Sequence, residues 1–191
     1  MKKVFIGGSR RVSRLSASVR ERIDRIIENN LPIIVGDANG ADKAVQRYLH
    51  ASNYRNVEVF CSGDICRNNL GGWNLRDVPA RTRHRSFSFY AAKDRVMADE
   101  ASYGLMVWDG SSTGTLLNAL RLIKQQKKVV LYSVPEKQFF EFRDILQWGD
   151  FVSKCESNVR NSLERKADLE ADLGRRQPEF LPRSIAPSHK F

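Results

Sequence analysis

Five short apolar runs, Lys3 to Ile6, Leu31 to Val35, Val57 to Cys61, Leu105 to Trp108 and Val129 to Tyr132, alternate along the chain with segments of helical periodicity. No other feature narrows the possible folds so far. Runs that are apolar at nearly every position belong to strands covered on both faces, and strand–helix alternation returns successive strands parallel to one another. Between the first two runs, Leu15, Val19, Ile23, Ile26 and Ile27 recur at helical spacing behind Ser13 or Ser16 as cap. Ala41, Ala44, Val45, Tyr48 and Leu49 repeat the pattern after the second run. Right-handed crossovers from a central first strand then predict an α/β, Rossmann-like parallel five-stranded sheet of order 3-2-1-4-5, with helices on both faces.

That order locates a ligand site, because open α/β sheets bind beyond the carboxyl ends of their strands where the winding direction reverses, here between strands one and four. Two small-residue loops end at that point. One is Gly7-Gly8-Ser9-Arg10; the other is Asp109-Gly110-Ser111-Ser112-Thr113-Gly114-Thr115, which leads into an apolar helical pattern beginning at Leu116. Loops of this kind let backbone N–H groups approach an anion, and the following helix points its positive end at the same place. Phosphate suits both loops, and Arg10 is placed to pair with it. Alternatively the second loop is only a tight turn, with Ser112 or Thr113 as helix cap. Gly36 to Asp42 would lie alongside, with Asp37, Asn39, Gly40 and Asp42 as further candidates, although Asp42 could simply serve the helix dipole. Lys93 and Arg95 open a later helix and face the same crevice.

The chain of 191 residues, 41% hydrophobic, suits one main domain, expected over 1–134, followed by a helical appendage over 135–173 and a disordered tail over 174–191. The appendage carries no chemistry and suits assembly of a homo-oligomer. No run reaches the roughly 18 apolar residues of a membrane span, and the first apolar run is too short for a signal peptide, so a cytoplasmic protein without a membrane partner is expected. Cys61, Cys66 and Cys155 are odd in number and lack metal-ligand spacing, so they read as incidental thiols, with no metal and no cofactor expected. The net charge of +10 makes polyanions, nucleic acid among them, plausible partners without naming one. Ser62 to Phe89 reads as a long irregular stretch holding Trp73 and the basic run Arg81-Thr82-Arg83-His84-Arg85. Such a stretch suits a lid that stacks on a base and screens phosphates, or a nucleic-acid surface; equally it is a solvated insertion.

Ile6-Gly7-Gly8-Ser9-Arg10, Val35 to Asp42, Lys93 to Ala98 and Trp108 to Thr115 together resemble, in order and spacing, the SLOG superfamily. That superfamily groups the DNA-processing protein A Rossmann domain, the LOG nucleotide phosphoribohydrolases and many small uncharacterised proteins, and the pattern here is most similar to those small members. The resemblance spans about residues 3 to 133. It implies a pocket for a nucleotide or nucleotide-derived ligand, either binding it as a sensor or acting on its N-glycosidic bond as a hydrolase or transferase. LOG enzymes place a catalytic glutamate where Leu117 stands and an arginine where Lys93 stands. N-glycosidic cleavage needs a carboxylate to stabilise oxocarbenium character or direct water. Asp109 is the one acid in the central loop, and the sequence leaves open whether it is catalytic, binds a ribose hydroxyl or binds backbone amides.

Overall fold

The computed structural model of the protein describes residues 2–63, 65–79 and 87–175. Its elements are β1 (Val4–Gly8), α1 (Ala17–Glu28), β2 (Ile33–Gly36), α2 (Ala41–Ala51), β3 (Val57–Ser62), β4 (Asn74–Val78), α3 (Phe87–Glu100), β5 (Tyr103–Trp108), α4 (Thr113–Lys124), β6 (Lys128–Ser133), β7 (Gln138–Phe142), α5 (Ile145–Ser153) and α6 (Ser157–Arg175). The strands form one sheet of order β4-β3-β2-β1-β5-β6-β7, parallel throughout except for the antiparallel β6–β7 pair.

Alternate residues of each inner strand feed two cores. Phe5, Ile34, Phe60 and Met106 point to the face covered by α3, α4, α5 and α6, while Ile6, Val35, Val59 and Val107 point to the face covered by α1 and α2. The strict period of two explains why these strands are apolar at every position. Ser16 caps α1 by accepting from the Val19 amide at 3.3 Å, and Asp144 caps α5 by accepting from the amides of Leu146 and Gln147.

The expected five-stranded sheet is corrected to seven strands, and the full order differs because a strand is added at each edge. At one edge, β4 lies inside the stretch read as irregular; four of its five residues are exposed, so it carries no apolar signal. At the other edge, β7 opens the stretch read as a helical appendage. Its Phe139, Phe140 and Phe142 pair with β6 instead of sitting on a helix. The rest of that stretch holds two helices, α5 and α6. The expected disordered tail lies, from residue 176 onward, outside the described residues, as does the basic run from Arg81 to Arg85. Among the described residues no helix is long and apolar enough to cross a membrane.

Candidate functional site

Beyond the carboxyl ends of β1, β2 and β5 opens a cavity of about 600 Å³. It lies where crossovers from β1 and β5 leave for opposite faces of the sheet, the position that the winding reversal dictates. Of the residues singled out in the sequence, Gly7, Gly8, Arg10, Gly36, Asp42, Lys93, Asp109, Ser111, Ser112, Thr113, Gly114 and Thr115 line it. Ser9, Asp37, Asn39, Gly40, Arg95 and Gly110 do not.

Each of those six has other work. Ser9, fully buried, is a knot between loops. Its Oγ lies 3.0 Å from Thr115 Oγ1 and accepts from the Asp109 amide, while its carbonyl accepts from the Ala41 amide that starts α2. Gly40 has φ of +88°, and a Cβ there would strike the Arg10 backbone, so the turn into α2 requires glycine. Gly110, with φ of +86°, packs on Pro135. Asn39 accepts from Asn68 Nδ2 at 3.1 Å, and Arg95 pairs with Glu170 at 3.7 Å. Asp37, 1% exposed, accepts from Arg67 Nη2 at 2.6 Å, Arg67 Nε at 2.9 Å, the Arg67 amide at 3.2 Å and Lys93 Nζ at 3.1 Å. Burial pushes its carboxyl up, but the Arg67 bonds and the Lys93 charge outweigh this and bring it to about 2.

One end of the cavity is electropositive. The first turn of α4 has no side-chain cap from Ser112, so its amides are open to a ligand, and Gly114 keeps the approach clear. Arg10 comes from the β1 loop, and Lys166 comes from α6 to donate to Thr113 Oγ1. Among the described residues no carboxylate pairs with either cation. Burial and then the nearby Arg10 charge push the Lys166 ammonium below its ordinary value. Asp109 lies at this same end but is not a free base. Its Oδ1 accepts from the Ser112 amide at 2.7 Å, the Ser111 amide at 3.0 Å and Ser111 Oγ at 3.3 Å. Burial raises its carboxyl, yet these amides and hydroxyls together hold it below the usual carboxylate value.

The other end is acidic. Asp42, 8% exposed, accepts from the Ala38 amide at 3.2 Å through Oδ2. A Cβ on Gly36 would overlap that carboxylate and come within 2.8 Å of Lys93 Nζ, so glycine is needed to seat both groups. Burial pushes Asp42 up to about 6 against the opposing pull of Lys93. Burial works the other way on Lys93, but Asp94, Asp42 and Asp37 overcome it and hold its ammonium above the ordinary value.

Several lining residues carried no readable signal. Arg67 reaches the cavity from the stretch read as a lid, a nucleic-acid surface or a solvated insertion, and the Tyr90 ring has two guanidiniums near it, Arg10 at 4.8 Å and Arg67 at 5.1 Å from its centre. Lys166 was hidden in a helix judged free of chemistry. Asn118 and Arg121 sit in the second and third turns of α4, where Arg121 donates to Asn118 and Glu170. Trp73, the expected stacking residue of a lid, is instead 7% exposed and donates Nε1 to the Tyr54 carbonyl at 2.9 Å. Leu117 is 2% exposed and packs in the core.

No family model matches the sequence, and no curated protein matches it. Among solved structures the chain is similar to DNA processing protein A from Helicobacter pylori, a protein described for its single-stranded DNA binding mode. The two share 16% identity at a TM-score of 0.53, over 90% of this chain and 81% of that one. At that identity the likeness shows the fold alone: the chain has a Rossmann-like α/β fold similar to that of DNA processing protein A.

Proposed function

We propose that the protein binds a nucleotide or nucleotide-derived ligand in the crevice at the switch point, with a phosphate on the first turn of α4 between Arg10 and Lys166, in the manner of a nucleotide sensor. One observation carries the reading. Lys166 and the remaining amides of the first turn of α4 meet at one place with Arg10 close enough to depress the Lys166 ammonium, and among the described residues no carboxylate pairs with either cation, the Asp109 carboxylate being taken up by the Ser111 and Ser112 amides. The half-buried ring of Tyr90, alongside the core residues Phe5, Met97 and Leu117, gives the same cavity a surface for a base or sugar. A volume of about 600 Å³ falls within the range of small-molecule sites. This reading also extends the SLOG-like motifs at Gly7 to Arg10 and Gly110 to Thr115 to a role in phosphate binding.

Binding stands ahead of N-glycosidic hydrolysis because of what the carboxylates do. Asp109 is engaged by its own loop, and the position of the LOG glutamate holds a buried leucine. A nucleic-acid partner is the second reading, favoured by the net charge of +10 and by the single-stranded DNA bound by the structural neighbour. Thermal unfolding with AMP, adenosine and a short oligothymidylate separates these. AMP at 100 times its dissociation constant should stabilise the fold by about 2.7 kcal/mol, with adenosine far weaker. Equal shifts from AMP and adenosine would remove the phosphate assignment. A shift from the oligonucleotide alone, collapsing steeply with salt, would promote the second reading.

A further inference from the structure

Outside the crevice, Cys61, Cys66 and Asp37 bring their two sulfurs and a carboxylate oxygen within 4.8 Å of one another. We propose that Cys61 and Cys66 are an oxidisable dithiol, closing to an intramolecular disulfide when the protein meets hydrogen peroxide.

The proximity is enforced from both sides. Cys61 is 3% exposed and fixed within β3, in parallel register with Asp77 of β4. Cys66 is followed at once by Arg67 and Asn68, which are tied to the end of β2. The Arg67 amide and guanidinium both bind Asp37, and Asn68 Nδ2 donates to the Asp37 carbonyl at 2.7 Å. Gln46 then holds the Asn68 carbonyl at 3.1 Å. Two thiols pinned in this way react as an intramolecular pair at high effective concentration.

A metal is the competing use of such a cluster, and the charges argue against it. Both oxygens of Asp37 are already taken by Arg67 and Lys93, and a cation there would face the Lys93 ammonium, itself 3% exposed. Disulfide formation adds no charge and leaves the Asp37 clamp in place.

The two sulfurs differ in access, which sets the order of events. Cys66 is half-buried and its Sγ lies 3.3 Å from the Asn68 carbonyl, whereas burial, the neighbouring Cys66 and the Asp37 carboxylate push the Cys61 thiol well up. Cys66 is therefore the sulfur that meets peroxide. Its thiolate attacks one peroxide oxygen, the O–O bond breaks, and the departing hydroxide takes up a proton as water, leaving Cys66 as the sulfenic acid. The Cys61 sulfur then attacks the Cys66 sulfur. The S–S bond forms, the S–O bond breaks, and the hydroxide leaves with the Cys61 proton as a second water. Two thiols have lost two electrons and one peroxide has gained them.

The test uses the whole protein, treated with hydrogen peroxide, denatured, alkylated and digested with trypsin without reduction. One tryptic peptide, Asn56 to Arg67, holds both cysteines, and Cys155 falls in another as internal control. Expected is an Asn56–Arg67 peptide that is two hydrogens lighter and carries no alkyl group, reverting to the doubly alkylated form after dithiothreitol, while Cys155 stays alkylated. In Cys66→Ser, Cys61 should remain an alkylatable thiol under the same treatment. Sulfinic acid at Cys66 beside an alkylated Cys61 would overturn the proposal. So would cross-linked dimers through Cys66, or survival of both thiols at peroxide levels that fully oxidise free glutathione.

Discussion

Replacing Asp37 by asparagine tests whether the acid network behind the crevice is a structural clamp. The carboxylate receives four donors, and its partner Lys93 is itself buried, with Asp94 Oδ1 its next acid at 4.0 Å. An asparagine keeps one acceptor oxygen but turns an N–H₂ group toward a guanidinium and leaves the Lys93 charge undercompensated. Breaking a buried pair in this way costs about 3–5 kcal/mol, which for a chain of this size lowers the unfolding midpoint by roughly 6–20 °C. Part of the cost has a pH signature. A carboxyl lowered from 3.8 to about 2 contributes about 2 kcal/mol of stability, present above the unfolded value and lost as pH falls through the folded one. Urea unfolding of both proteins from about pH 7 down to about pH 2 should therefore show a constant gap to about pH 4 that narrows below it. A variant within about 1 kcal/mol of wild type at neutral pH, or a gap that ignores pH in that window, would refute the clamp.

Lys166→Ala should weaken AMP binding by roughly 10- to 150-fold in calorimetry while leaving the fold intact, since it removes one charge-assisted contact from a half-buried surface; unchanged affinity would place the phosphate elsewhere. Asp42 has the opposite pH behaviour from Asp37: its folded value of about 6 lies above 3.8, so its stabilising share is complete below the lower value and lost as pH rises through the upper one. Asp42→Asn should accordingly gain roughly 3 kcal/mol over wild type between about pH 4 and pH 7, and parallel denaturation curves would contradict this. Asp109→Ala should lose about 1–2 kcal/mol of stability through its two backbone amides, whereas loss of a sustained base-releasing activity without loss of stability would mark the residue as catalytic after all. Gly40→Ala should cost at least about 1–3 kcal/mol, because φ is +88° there, and a neutral result in thermal unfolding would show that the turn can relax.

The inner strands were legible because both faces of each are buried, so their residues announce themselves without any partner being known. The edges were not, since a solvent-facing strand such as Asn74-Leu75-Arg76-Asp77-Val78 obeys no hydrophobic rule and is held by its pairing with β3. The same divide runs through the site. Gly, Ser and Thr loops could be found because their composition departs from that of any packed element. Ser9 and Asp37, chosen on the same grounds, turned out to be buried fasteners, for residue type alone does not say which way a side chain turns. Lys166 lay beyond reach for a different reason. It approaches from α6, more than fifty positions from the loop it touches, and only the packing of α6 against α4 brings it there.

The cations around the crevice also bear on which polyanion it could accept. Lys93 and Arg67 are committed to Asp37, and Arg121 to Glu170, so their charges are largely cancelled before any ligand arrives. Arg10, Arg11 and Lys166 line the crevice with no carboxylate paired to them among the described residues, and Lys166 reaches the first turn of α4. A nucleic-acid strand needs cations laid out along a path, because its affinity comes from neutralising successive phosphates. Among the described residues these cations gather at one crevice, which matches a single phosphate group or a short phosphate chain better than a strand. The net charge of +10 therefore overstates the case for nucleic acid at this site. A polynucleotide would have to engage other surface arginines, such as the exposed Arg14 and Arg20, and its binding would then survive Lys166→Ala while AMP binding did not.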